Sequence, residues 1–258
     1  MPEILYKKKK HLAIIQINRP EKRNAFTVDM FHQIGTAFAE AEADDDVRCT
    51  VVHAAGPDFT AGLDFISVAP AWASGERPYL EGMVDPWGVD GERRTKPLVT
   101  AAHGHCFTLG FELVLASDVS VAARGTIFAL SEVRVGIYPA GGGTFRFVQA
   151  AGWGNAMRYA LTGDEFDADE AYRMGVLQEV VDPGKQLDRA LEIAGTIASA
   201  APLGVRGALR SARVSVEKSE EAAIERVVPD IQALTQTEDA QEAVMAMIEQ
   251  RDPKFEGR

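Results

Sequence analysis

Residues 98–118, Leu-Val-Thr-Ala-Ala-His-Gly-His-Cys-Phe-Thr-Leu-Gly-Phe-Glu-Leu-Val-Leu-Ala-Ser-Asp, carry the pattern on which the fold turns. Leu98–Ala102 is a short apolar run that reads as a buried strand, and Phe111–Ala116 reads as a short apolar helix. A glycine-bounded loop joins them. A strand that feeds a helix through a tight loop is the unit of a layered α/β fold.

The same grammar recurs on both sides. Leu12–Asn18 is rich in β-branched residues and stops at Arg19-Pro20, so it reads as a buried strand. Thr27 is an N-cap for a helix running to about Asp44. Val28, Phe31, Ile34, Phe38 and Ala41 fall on one face of it at spacings of three and four. Cys49–Ala55 reads as the next buried strand, broken by Gly56-Pro57, and Val119–Ala122 and Ile127–Leu130 as short strands. The basic run Lys7–Lys10, between Ile4-Leu5-Tyr6 and Leu12-Ala13-Ile14-Ile15, reads as a solvated hairpin turn, with an anion patch or nuclear signal as the alternative.

From about Ser67 to Lys96 the character changes. Gly82, Pro86, Gly88 and Gly91 follow closely, with Trp72, Tyr79 and Trp87 interspersed, which predicts a long functional loop such as a lid. From about Gly184 onward the pattern is helical, with segments at 187–200, 203–216 and 237–250 and a cap at Thr237. Pro229 predicts a kink in that region. The organisation expected is a βα core over residues 1–195 and a helical region over 196–258.

A chain of 258 residues with 46% hydrophobic content can bury a sizeable core, and its formal charge of −11 argues against nucleic acid as a partner. Two cysteines, Cys49 and Cys106, both in apolar stretches, fit a reducing compartment. No signal-peptide pattern and no apolar stretch of bilayer length occurs, so the expectation is a cytoplasmic protein with no membrane partner.

Four features could carry chemistry. Phe59-Thr60-Ala61-Gly62-Leu63-Asp64 is a glycine-containing turn directly after a buried strand. Gly104–Glu112 leaves another strand and enters a helix, whose first N–H groups have no intrahelical acceptor and lie at the positive dipole end. Two such N–H groups converging from separate loops would form an oxyanion hole. Glu112 sits in the apolar run FELVLA, one turn beyond Leu109. A buried, unpartnered carboxylate there would suit proton transfer, whereas an internal salt bridge or a partly exposed helix position is the plainer alternative. Glu132 follows a strand and precedes Tyr138-Pro139-Ala140-Gly141-Gly142-Gly143. Alone it reads as a solvated acid, and the glycine run as a phosphate cradle lacking its lysine or as the start of a helix at about Thr144–Ala151. The five histidines have no metal-site spacing, and no nucleophile elbow is present.

Taken in order, these segments resemble the enoyl-CoA hydratase/isomerase (crotonase) superfamily over essentially the whole chain. Ile17-Asn18-Arg19-Pro20 with Asn24-Ala25-Phe26 is similar to that family's first strand and turn, and FTAGLD and GHCFTLGFELVLASD to its two oxyanion loops. SEVRVGIYPAGGGT is similar to the segment with its second acid. The resemblance implies a spiral of ββα units with a helical C-terminal trimerisation subdomain, assembled as a trimer or dimer of trimers. It implies that the N–H groups of Leu63 and Leu109 hold the thioester oxygen and that Glu112 and Glu132 are the catalytic acids. Ala25, Ala61, Asp64 and Phe65, with Lys22 and Arg23 near the phosphates, would meet coenzyme A. No metal or separate cofactor is implied, coenzyme A being part of the substrate. Thr108-Leu109-Gly110 departs from the family's consecutive glycines, and a leucine there could reshape the acyl pocket. Hydration of a 2-enoyl-CoA is the leading expectation, with double-bond isomerisation through Glu132 or another acyl-CoA reaction of the family next. A non-catalytic acyl-CoA-binding scaffold is the reading from another class.

Overall fold

The computed structural model describes residues 2–258. The chain opens with a hairpin of β1 (Ile4–Lys9) and β2 (Leu12–Ile17), in antiparallel register from Ile4 opposite Ile17 to Lys9 opposite Leu12. The lysine run therefore does not form the turn the sequence suggested. Lys7, Lys8 and Lys9 belong to β1, and only Lys10, at φ 52°, turns with His11. β1 is an edge strand, where exposed lysines discourage pairing with another chain.

A single 3-10 turn over Pro20–Lys22 leads to α1 (Val28–Ala43), whose Thr27 cap accepts the Met30 N–H at 3.2 Å. Then follow β3 (Cys49–Ala54), α2 (Phe65–Ala73), and the short parallel pair β4 (Val84–Asp85) and β5 (Glu92–Arg93). The long loop expected over 67–96 is thus partly helical. Pro70 lies inside α2 and gave the segment its loop-like look, although a proline removes just one helical donor. Next come β6 (Leu98–Ala102), β7 (His105–Phe107), α3 (Leu109–Ala116), β8 (Val119–Ala123) and β9 (Ile127–Ala129). They are followed by α4 (Gly143–Ala151), α5 (Trp153–Thr162), β10 (Phe166–Asp167), α6 (Ala168–Arg173) and β11 (Glu179–Val181). The chain ends in α7 (Gln186–Ser199), α8 (Pro202–Glu217), α9 (Glu220–Leu234) and α10 (Glu238–Glu249). Helix α9 runs through Pro229.

One sheet has the order β1-β2-β3-β6-β8-β11, parallel from β2 onward, and a second has the order β10-β9-β7. Single bridges Phe26–Leu63 and Thr60–Cys106 prolong the second layer. Each turn of the chain therefore lays a strand in the large sheet, a shorter extended segment in the second, and then a helix. This is a layered α/β fold, with four helices, α7–α10, gathered at the C-terminal end.

The main core lies between the two layers. Phe111 packs on Phe128, Phe147 and Phe166 with ring centroids 5.1–5.4 Å apart. Helix α3 is buried from Leu109 to Val114, which explains why it is apolar on every side. On the opposite face of the large sheet, Ala190, Ala194 and Ala198 of α7 lie against Cys49, Val51 and Val99. Helices α9 and α10 leave Ile224, Val228, Ile231, Val244, Met247 and Ile248 exposed. No helix of the described residues is long and apolar enough to cross a membrane.

Candidate active site

Two loops leave parallel segments side by side and touch at their tips. Gly62, at φ +100°, packs on the side chain of Thr108, and a Cβ at Gly62 would overlap Thr108 Oγ1. Only glycine fits there, on both conformational and steric grounds. Thr108 itself has φ 48° and ψ −115°, a strained backbone for a β-branched residue, and its N–H donates to Ala129 O at 2.8 Å. Leu63 and Leu109 are the next residues in each loop. Among the described residues neither of their N–H groups has an acceptor, and both residues line one cavity of about 380 Å³. The Trp87 indole N–H donates to Leu109 O at 2.8 Å and fixes the peptide beyond it.

Glu112 enters the same cavity from α3, one turn past Leu109, and is 3% exposed. Its Oε1 accepts the Gly143 N–H at 2.9 Å, and the Gly141 amide also points to the carboxylate. A Cβ at Gly143 would stand 3.0 Å from Oε1. The glycine run thus starts α4 and cradles a carboxylate, so it is no phosphate loop. Arg146 Nη1 donates to Gly141 O at 2.9 Å and braces the cradle. Burial raises the Glu112 pKa, the two amides and the Arg146 charge oppose it, and the result is about 7.

Glu132 begins a 3-10 turn after β9, is 6% exposed, and lines the cavity. Its Oε2 has no hydrogen-bond partner among the described residues. Burial and then the Glu112 charge push its pKa up to about 8. The structure therefore joins both acids and both free N–H groups in one cavity, and neither acid is the solvated or salt-bridged residue of the plainer sequence reading.

The residues expected to meet coenzyme A lie on the loops adjoining Leu63 and at the start of α2, outside the cavity lining. Lys22 is exposed in the 3-10 turn. Arg23 is tied to Asp58 at 2.8 Å, and Asp58 also accepts the His105 N–H at 3.0 Å and meets His105 Nδ1 at 2.6 Å. The Ala61 N–H donates to Arg23 O, Arg19 bridges Ala25 O and Asp64, and Phe65 is exposed. Burial raises the Asp58 pKa, but Arg23 and His105 outweigh it and hold the group at about 2.

Asp85 was missed. It is buried, and its carboxylate accepts the N–H groups of Trp87, Val89 and Asp90 at 2.8, 2.6 and 2.9 Å. It thereby folds the 85–90 loop over the cavity. The signal was present in Asp85-Pro86-Trp87, since an Asp bonding the N–H two residues on is an Asx turn. No cluster of three His, Cys, Asp or Glu side chains able to hold a metal occurs among the described residues.

The family model for enoyl-CoA hydratase/isomerase matches residues 7–258. A solved structure of a probable enoyl-CoA hydratase/isomerase from Mycobacterium abscessus superposes with a TM-score of 0.97 at 46% identity, covering 100% of this chain and 99% of that one. An enoyl-CoA hydratase of Mycobacterium tuberculosis is 33% identical over 261 residues, covering 100% of this chain and 97% of the relative. The 1,2-epoxyphenylacetyl-CoA isomerase of Escherichia coli is 31% identical over 265 residues, with full coverage of both.

Proposed function

The chain belongs to the enoyl-CoA hydratase/isomerase family, and from that premise we propose that it adds water across the C2=C3 bond of a 2-enoyl-CoA. The observation that carries this reading is the unequal treatment of two buried acids in one cavity. Glu112 receives two amide donors, whereas Glu132 receives none at Oε2 and faces the Glu112 charge. Near neutral pH Glu112 ionises first and serves as the base, while Glu132 keeps its proton and serves as the acid.

In the proposed cycle Glu112 takes a proton from water as the water oxygen bonds to C3. The π electrons move toward C1, and the thioester oxygen carries the charge of the enolate. The N–H groups of Leu63 and Leu109 stabilise that oxygen. Glu132 then delivers its proton to C2, giving a 3-hydroxyacyl-CoA, and exchange with solvent restores the two carboxyl groups. Lys22 and Arg23 meet the coenzyme A phosphates, Ala61, Asp64 and Phe65 meet its adenine end, and Ala25 also contacts coenzyme A. No cofactor besides the substrate's own coenzyme A enters the cycle.

The test is substitution by glutamine, which keeps shape and removes proton transfer. Glu112→Gln and Glu132→Gln should each lower kcat by ~10²–10⁴-fold while acyl-CoA binding persists. The similarity to an isomerase supports a second reading, double-bond isomerisation through Glu132. In that case Glu132→Gln is inactive and Glu112→Gln keeps most of its activity. Near-native turnover by both variants would sink both readings. We also propose that residues 196–258 join copies of the chain into a trimer or dimer of trimers in the cytoplasm, because α9 and α10 expose an apolar surface. Light scattering that finds only monomer at micromolar concentration would contradict this.

A further inference from the structure

We infer that the acyl group this cavity accepts is uncharged and carries a ring, an inference that rests on the acyl-CoA reading above and narrows its substrate class. Phe31 of α1 stands at the centre of an aromatic wall. Its ring centroid is 5.6 Å from Trp87, 5.9 Å from Tyr79 and 6.4 Å from Trp72, and all four rings line the cavity. Phe31 meets Tyr79 edge to face and is tilted against both indoles, so the wall offers edges and faces together. A flat ring can answer both. A ring also has fewer rotamers to lose on binding than an alkyl chain of equal carbon number.

Size points the same way. A volume of about 380 Å³ corresponds to roughly a dozen water molecules at ~30 Å³ each, which a propyl tail would leave largely empty.

Charge then excludes a second group of acyl chains. Glu76, Asp85, Asp90 and Glu112 line the cavity beside Glu132, which keeps its proton in the proposed cycle, and Arg77 is the one cationic side chain in that lining among the described residues. The Arg77 guanidinium is already held by Asp90 at 2.8 Å. A carboxylate at the far end of the acyl group would enter an anionic enclosure with no free cation to receive it, and would lose its hydration there.

Saturated thioesters test this without any turnover, by isothermal titration with the wild-type protein. 3-Phenylpropanoyl-CoA should bind at least ten-fold more tightly than butanoyl-CoA and about five-fold more tightly than nonanoyl-CoA, which has the same carbon count. Adipoyl-CoA should bind at least ten-fold more weakly than hexanoyl-CoA. Trp72→Ala should bring the phenylpropanoyl-to-butanoyl ratio toward one, and Glu76→Gln should narrow the gap between adipoyl-CoA and hexanoyl-CoA. Equal affinity for adipoyl-CoA and hexanoyl-CoA, or for 3-phenylpropanoyl-CoA and nonanoyl-CoA, overturns the inference and leaves the acyl-CoA reading intact. Failure of every thioester to bind overturns the acyl-CoA reading itself.

Discussion

Gly141 lies so close to Glu112 that a Cβ added to it would stand 2.8 Å from Oε2 and 2.9 Å from Trp87 Cδ1. Its φ is outside the left-handed region, so alanine meets a contact problem there and no backbone problem. The carboxylate, at the end of a flexible side chain, is what would move. Gly141→Ala should cost about 1–2 kcal/mol of stability from overpacking. It should lower kcat by about 10²-fold, the usual penalty for displacing a reacting group by an ångström. Thermal melts and steady-state kinetics on one preparation read both quantities.

The pH dependence of kcat/KM should be a narrow bell. Activity requires Glu112 ionised and Glu132 protonated. The acidic limb should therefore fall near pH 7 and the basic limb near pH 8, as properties of the coupled pair. A broad plateau from pH 5 to 9 would show that these two carboxyls do not govern the rate.

Stability should fall on both sides of the mildly acidic range. The folded-state pKa of Glu112 is raised from 4.5 to about 7, so the folded protein holds that proton where the unfolded chain has lost it. This contribution is complete below pH 4.5 and is lost as pH rises through 7, at a cost of about 3 kcal/mol. Asp58 works in the opposite direction. Its folded pKa is depressed from 3.8 to about 2, so its contribution is present above pH 4 and lost as pH falls toward 2. Glu132, raised to about 8 mainly by burial, adds an alkaline loss of the same sign. Urea titrations from pH 2 to 9 should therefore show the alkaline loss shrink in Glu112→Gln and the acid loss shrink in Asp58→Asn.

Asp85→Ala should release the 85–90 loop. The substitution strands the buried Trp87 amide and frees those of Val89 and Asp90, which lie nearer solvent, and an unsatisfied buried donor costs about 1–3 kcal/mol. A total loss of about 3 kcal/mol in urea unfolding is expected, together with faster amide exchange at those three residues. Unchanged exchange there would mean that the loop is held by other contacts.

The alternation of strands and helices was legible because burial writes itself into composition. The LAIIQIN run, the Thr27 cap and the FELVLA helix all face one apolar environment, and the local pattern suffices to reveal it. Helix α2 was hidden by Pro70, whose single missing donor a short helix tolerates. The extent of β1 was hidden by its lysines, which suit an edge strand as well as a turn. At the site, Glu112 and Leu109 could be paired from one helical turn. The Gly141–Gly143 cradle depends on residues far apart in sequence meeting across the cavity, and no periodicity records such a meeting, whereas the Asp85 clamp is local and its Asx turn could be read from Asp85-Pro86-Trp87.

The indole of Trp87 closes the cavity wall, and Trp72 stands in the same aromatic cluster, whereas Trp153 is 72% exposed. The protein thus carries its own fluorescent gauge of occupancy. A thioester entering between the two inner indoles changes their surroundings and shifts their emission, while the outer one contributes a constant solvent-exposed background. Trp153→Phe would strip that background away and leave an unlabelled protein that signals filling of its pocket by light alone.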